Sequence, residues 1–150
     1  MSATSLARLL GGGPSGVFLL RTRVRREQLA VLSRRNSLHA WRCDCTRAHS
    51  KRTLLAALAR DLELPDYFGA NWDALSDCLT DLGWAPAGGY VLALEGLEGL
   101  ARSAPRDYAS LSDVLADAVT FWSAEHVPFY VLLVGDASVL GSTLPRIAAT

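Results

Sequence analysis

No apolar run in this chain approaches the roughly 20 residues that a membrane-spanning helix requires, so the sequence predicts no membrane association. A secretory leader is not expected either: Leu6 to Leu10 is too short, and Gly11-Gly12-Gly13-Pro14 breaks it at once. Cysteine is scarce and odd in number. Cys43, Cys45 and Cys78 show no disulfide-framework spacing, which predicts reduced thiols and a cytoplasmic location. Phosphate loops, nucleophile elbows and metal motifs are all missing, so neither catalysis nor a cofactor is expected. Charged residues make up only 20% of the chain and hydrophobic ones 50%, which excludes disorder and favours a compact core. At 150 residues the chain can bury that core without disulfides or metals.

Net charge is also absent, but the zero conceals a split. Residues 1–60 hold twelve bases against Glu27 and Asp44, whereas residues 61–125 hold twelve acids against Arg102 and Arg106. If folding preserves this segregation, the molecule is dipolar, with an acidic face that steers a basic partner.

The pattern along the chain alternates strands and helices. Residues 1–16 read as a flexible tail and glycine-rich linker, and residues 17–150 as one domain. Val17–Leu20 is a predicted strand and Arg26–Arg35 a predicted helix ending near Asn36. His39, Trp41, Cys43 and Cys45 alternate with polar or small residues, as a strand does. Leu54, Leu55, Leu58 and Leu62 form an amphipathic helix after Ser50, stopped by Pro65, and a further helix is expected over Trp72–Leu82. Tyr90–Leu94 reads as a strand, Gly96–Arg106 as a loop, and Leu111 to Trp122 as a helix. The apolar run Val127–Val134 suits a strand buried on both faces. This order predicts an α/β fold whose small parallel sheet, of three to four strands, is covered by helices.

Three constellations carry a bland reading better than a functional one. His39, Cys43, Cys45 and His49 lack the Cys-x2-Cys pairing of strong zinc sites, and cysteine is common as a small core residue. Arg21, Arg23, Arg25, Arg26, Arg34 and Arg35 form a basic stretch without the interleaved aromatics that stack on bases, so a solvated face is expected rather than a nucleic-acid site. Cys78 has no histidine in a partnering context, which argues against a nucleophile.

The segment Leu64 to Thr80 is different. Asn71 is a good N-cap, and Trp72, Leu75, Leu79 and Leu82 recur at helical spacing. Asp73 and Asp77 lie four apart on the other side, with Ser76 and Thr80 beside them. Like charges at that spacing cost a helix roughly 0.2–0.5 kcal/mol, and only Asp73 is near enough to the helix N-terminus to benefit from its dipole. Such a face is either solvated or meets something positive.

The pattern Leu-Pro-x-Tyr-aromatic-Gly-x-Asn-x-Asp-Ala-Leu-x-Asp-Cys-Leu-Thr over Leu64–Thr80 resembles the barstar family of intracellular inhibitors of secreted guanyl-specific ribonucleases. The likeness weakens outside it but extends over Trp41 to about Val134. It implies a three-stranded parallel core, with residues 17–38 an added strand–helix unit. It also implies that Tyr67, Phe68, Asn71, Asp73, Ser76, Asp77, Thr80 and Asp81 form a partner-binding loop and helix, with Asp77 replacing a substrate phosphate. Ser76 and Asp81 depart from the best-known member, which has tryptophan and glycine there, and Thr120 falls near where that member has an acidic helix residue. The expectation is a non-enzymatic monomer that plugs a ribonuclease active site in a one-to-one complex. The alternative is an immunity or regulatory module of the same fold whose partner is not a ribonuclease.

Overall fold

The computed structural model describes residues 4–149. Two successive strands of unbroken burial organise it. β4 (Gly89–Glu95) and β5 (Phe129–Val134) are buried at every position, as parallel strands sandwiched between helices are. Edge strands β2 (Gly16–Leu20) and β3 (Leu38–Asp44) complete a four-stranded parallel sheet in the order β2-β5-β4-β3. Alternation along the strands divides the core in two. Leu92, Leu94, Val131 and Leu133 face one cluster, while Val91, Ala93, Leu132 and Val134 face the other.

The first cluster is covered by α3 (Lys51–Asp61), α4 (Trp72–Thr80), α5 (Glu98–Ser103) and α6 (Pro105–Ala124). Ser50 and Thr53 make a capping box at the start of α3, and Pro105 opens α6, where its missing N–H is not needed. The second cluster is covered by α1 (Leu6–Leu10) and α2 (Arg26–Arg35). After β5 come α7 (Ala137–Leu140) and β6 (Ile147–Ala148), and β6 pairs in parallel with β1 (Thr4–Ser5). Among the described residues no helix is long and apolar enough to cross a membrane.

The α/β class and the parallel sheet agree with the expectation, with four strands in the main sheet. Other expectations need correction. Residues 4–10 are not tail: Leu6, Leu9 and Leu10 are at most 2% exposed and belong to the second cluster. A five-residue helix is too short to show periodicity, and its burial comes from the sheet face it covers rather than from its own propensity. Residues 1–3 lie outside the described residues. The predicted loop Gly96–Arg106 contains α5 and the start of α6. The helix expected to reach Leu82 ends at Thr80 and is followed by a 3-10 turn over Leu82–Trp84.

Charge segregation survives folding only in part, because Arg52 and Arg60 on α3 and Arg102 and Arg106 on α5 and α6 are exposed on the same side of the sheet as the acidic residues. Arg8, Arg25, Arg26, Arg34 and Arg35 are exposed on or beside α1 and α2, on one side of the sheet. Asp73, Asp77, Asp113 and Asp117 are exposed on α4 and α6, on the other.

Glu95, at the end of β4, is the one buried carboxylate among the described residues. Arg42 Nη2 donates to its Oε1 at 2.6 Å, and Arg23 donates to Oε2 through Nε and Nη2 at 3.0 and 2.9 Å. Burial alone raises this carboxyl's pKa, but the bonds from Arg42 and Arg23 outweigh it and hold the group below the ordinary glutamate range. A folded value below the unfolded one contributes stability that is full above the ordinary value of 4.5 and is lost as pH falls below it. Urea midpoints measured across that acid limb are expected to fall with pH in the wild type and to fall less steeply in Glu95→Gln.

Candidate functional site

α4 presents its two faces as its spacing requires. Leu75, Cys78 and Leu79 are buried against the first cluster, and Asp73 and Asp77 are exposed on the opposite side. Among the described residues neither carboxylate has an ion-pair partner. The helix beneath them is held at both ends. At the start, Asn71 Oδ1 accepts from the Ala74 N–H at 2.7 Å, satisfying one of the unpaired donors of the first turn. At the end, where no basic residue meets the dipole, two indoles substitute: Trp84 Nε1 donates to Cys78 O at 3.1 Å and Trp122 Nε1 to Leu79 O at 2.7 Å. These tryptophans belong to an aromatic cluster with Trp41, Tyr90 and Phe129. The result is a rigid helix carrying free carboxylates, a geometry that loses little freedom on meeting a cationic partner.

The loop before α4 is equally constrained. α3 stops in a Schellman-type end, with Leu64 N–H donating to Ala59 O and Glu63 in the left-handed region at φ 53°. Phe68 N–H donates back to Pro65 O at 2.9 Å, and Phe68 packs against the first cluster. Ala70 is also left-handed, at φ 52°. A non-glycine residue there costs about 1–2 kcal/mol, which the packing of Leu64 and Phe68 offsets. Tyr67, by contrast, is 64% exposed. Partial desolvation, and then the negative charge of Asp81, push its phenol above the ordinary value.

The remaining expected site residues separate by what their side chains already do. Ser76 is half-buried on the flank of α4. The Thr80 hydroxyl donates to Ser76 O at 2.8 Å, so its proton is taken and only its acceptor capacity faces outward. Asp81 is exposed and caps the 3-10 turn, accepting weakly from Gly83 N–H at 3.3 Å. Asn71 is committed to capping, and Phe68 to packing. Trp72 is half-buried with Lys51 Nζ 5.9 Å from its ring centre, a cation–π contact that fastens α4 to α3. The structure thus gathers Tyr67, Asp73, Asp77 and Asp81 along one surface. Behind the helix, Phe121 is 40% exposed and packs edge-on against Trp122, whose indole holds α4. The only sequence signal for Phe121 was an aromatic lying one position off the apolar stripe of α6.

Other chemistries find less support. Cys43, Cys45 and Cys78 are free and buried. The Cys45 thiol 3.6 Å away, together with burial, pushes the Cys43 thiol up, and burial followed by the Asp77 and Asp81 charges does the same for Cys78. A thiol so raised is a poor nucleophile. Iodoacetamide is expected to leave all three unmodified in the native protein under mildly alkaline conditions and to label all three in denaturant. Among the described residues no group of three or more His, Cys, Asp or Glu side chains could hold a metal ion.

Comparison with known folds and families puts this geometry in context. The fold is similar to that of the Aeropyrum pernix ORC2 protein in its ADPNP–ADP and ADP forms, at TM-scores of 0.56 and 0.54 and 18% identity. Both alignments cover 95% of this chain but 44% of the other, so the chain spans less than half the length of these structures. A Drosophila ORC bound to GC-rich DNA and Cdc6 aligns at a TM-score of 0.45 and 15% identity, covering 85% of this chain and 43% of that one. At such identities the likeness concerns the fold alone. The β2–α2 turn here contains no glycine, and so none of the bare backbone that cradles phosphates in nucleotide sites. No curated protein matches the chain. The family model described as Barstar (barnase inhibitor) matches residues 38–134, which runs from β3 to β5 through the loop, α4 and its aromatic support. That match takes in well over half of the chain and the whole acidic surface described above, and the chain belongs to the barstar family.

Proposed function

We propose that this chain is an intracellular inhibitor of a secreted guanyl-specific ribonuclease, acting as a plug and not as an enzyme. The observation that carries the reading is the pair of exposed, unpartnered carboxylates, Asp73 and Asp77, on a rigid helix within the family match. A ribonuclease active site collects arginine, lysine and histidine around the substrate phosphates. Carboxylates set against them make charge-assisted and often bidentate hydrogen bonds, the strong class. In this account Asp77 occupies a phosphate subsite and Asp73 pairs with a neighbouring Arg or Lys of the enzyme. Tyr67 packs against the rim of the cleft, and Thr80 accepts a hydrogen bond.

Two results test this together. A guanosine monophosphate bound in the enzyme's active site is expected to compete with this protein for the nuclease. The association rate is also expected to fall as salt rises, because opposed charged faces steer the encounter. Binding that neither competes with the nucleotide nor slows with salt would exclude the plug.

Asp81 favours one second reading. It adds a third exposed carboxylate beside Tyr67, and with Ser76 it alters the surface that meets the partner. An immunity or regulatory module aimed at a basic surface other than a ribonuclease would use the same face. Capture of the partner from cell extract by the wild type, but not by Asp73→Ala/Asp77→Ala, followed by assay of the captured protein for RNA cleavage, separates the two.

A further inference from the structure

The two edges of the main sheet are treated differently. At β2 the Leu19 N–H donates to Pro145 O at 2.8 Å and Leu19 bridges Arg146, so the chain closes that edge itself. Strand β3 forms the opposite edge. Along a parallel strand, residues bonded to one neighbour alternate with residues turned the other way. Cys45 N–H donates to Glu95 O, towards β4, whereas Asp44 N–H turns outward to Asp61 Oδ2 at 2.9 Å. The same parity turns the N–H and C=O groups of Ala40 and Arg42 outward, and among the described residues no partner meets either N–H from that side. Only the Asp44 end of the edge is blocked.

A groove of about 650 Å³ runs along this edge, between α2 and the end of α3. Leu29, Ser33 and Arg34 line one wall, and Leu62 and Glu63 the other. Ser33 is 2% exposed and its Oγ has no hydrogen-bond partner. A buried hydroxyl is costly to leave unpaired. Arg26 and Arg34 also line the groove, and neither has an ion-pair partner among the described residues. An open backbone edge, an unpaired buried donor and free guanidinium groups therefore converge on one groove.

We propose that the β3 edge receives an extended segment of a partner protein as an additional strand, with acidic side chains on its α2-facing side. Backbone bonds to Ala40 and Arg42 set the register, as in other strand-addition complexes. Arg26 and Arg34 engage the incoming carboxylates, and the Ser33 hydroxyl, buried in the free protein, turns into the groove to donate to one of them. Side chains at the alternate positions fall on the other sheet face, against Trp41 and Leu62, and are apolar. A second copy of this chain is disfavoured as occupant. Pairing β3 with itself about a two-fold axis brings α2 against α2, and that helix carries Arg26, Arg34 and Arg35 against Glu27 alone. The groove selects an acidic partner, whereas the α4 face selects a basic one, so the two surfaces serve different proteins.

The test uses the full chain, isotope-labelled for NMR, and a capped peptide of seven residues, the length of β3, alternating glutamate and valine. Saturable binding is expected, with the Ala40 and Arg42 amides shifting and becoming protected from hydrogen exchange. N-methylation of alternate peptide amides, replacement of glutamate by lysine, and the exposed-site variant Arg34→Glu are each expected to weaken binding roughly tenfold or more. The proposal is overturned if those amides do not respond, or if the methylated or lysine peptides bind equally well. It is also overturned if the amides are already protected in the free protein through a dimer of this chain.

Discussion

Replacing Asp77 by alanine is expected to weaken binding to the target ribonuclease by about 3–5 kcal/mol, the usual cost of removing one member of a desolvated ion pair. That corresponds to roughly two to three and a half orders of magnitude in Kd. The size follows from the position of the residue. Asp77 lies mid-helix on α4, with Leu75, Cys78 and Leu79 anchored beneath it and two indoles fixing the helix end. On the proposed reading its carboxylate reaches the partner pre-positioned, and its loss strands the opposing cations without a counter-charge. The folded protein should not suffer, because the side chain contributes no ion pair to the fold among the described residues. Relief of the repulsion from Asp73 should leave stability unchanged or raised by about 0.2–0.5 kcal/mol. Calorimetric titration against the enzyme, with thermal unfolding as the control, separates the two effects. A loss below tenfold at unchanged stability would remove Asp77 from the centre of the interface.

The second large effect concerns stability and the N-terminal segment. Leu9→Ala is expected to destabilise the protein by about 2–5 kcal/mol, as truncation of a buried leucine does. Leu9 is 1% exposed on α1 and packs in the cluster that includes Leu20, Leu29 and Tyr130. The segment is further tied by Tyr130 OH donating to Gly13 O at 2.8 Å and by the β1–β6 pairing. Urea unfolding measures the change. A dangling tail would tolerate the same substitution within about 0.5 kcal/mol. Binding to the ribonuclease should be unaffected wherever the variant remains folded, since α1 and α4 cover opposite faces of the sheet.

What was legible in the sequence, and what was not, divides by range. β5 could be read because an unbroken apolar run between polar residues or glycine has few other uses, and α4 because Asn71 and the Trp72–Leu75–Leu79 spacing agree. The exposed acidic face was readable for the same reason: helical periodicity decides which side Asp73 and Asp77 occupy. Features that depend on distant pairings were hidden. Nothing local shows that Arg23 and Arg42 meet at Glu95, that Trp122 holds Leu79, or that residues 145–148 close one sheet edge while β3 stays open. Short elements were hidden too, since α1, α5 and α7 complete at most two turns and owe their helicity to burial. The bond from the Thr80 hydroxyl to Ser76 O is of the local kind that a polar side chain inside a helix makes with the carbonyl four residues back.

The most direct test of the central claim is a titration of the wild-type protein into RNA-cleavage assays of several guanyl-specific microbial ribonucleases. Activity of a cognate enzyme is expected to fall linearly and reach zero at one equivalent, as tight one-to-one occlusion requires. Full activity of every such enzyme in the presence of excess protein would contradict that claim, and the acidic face of α4 would then belong to a partner of another kind.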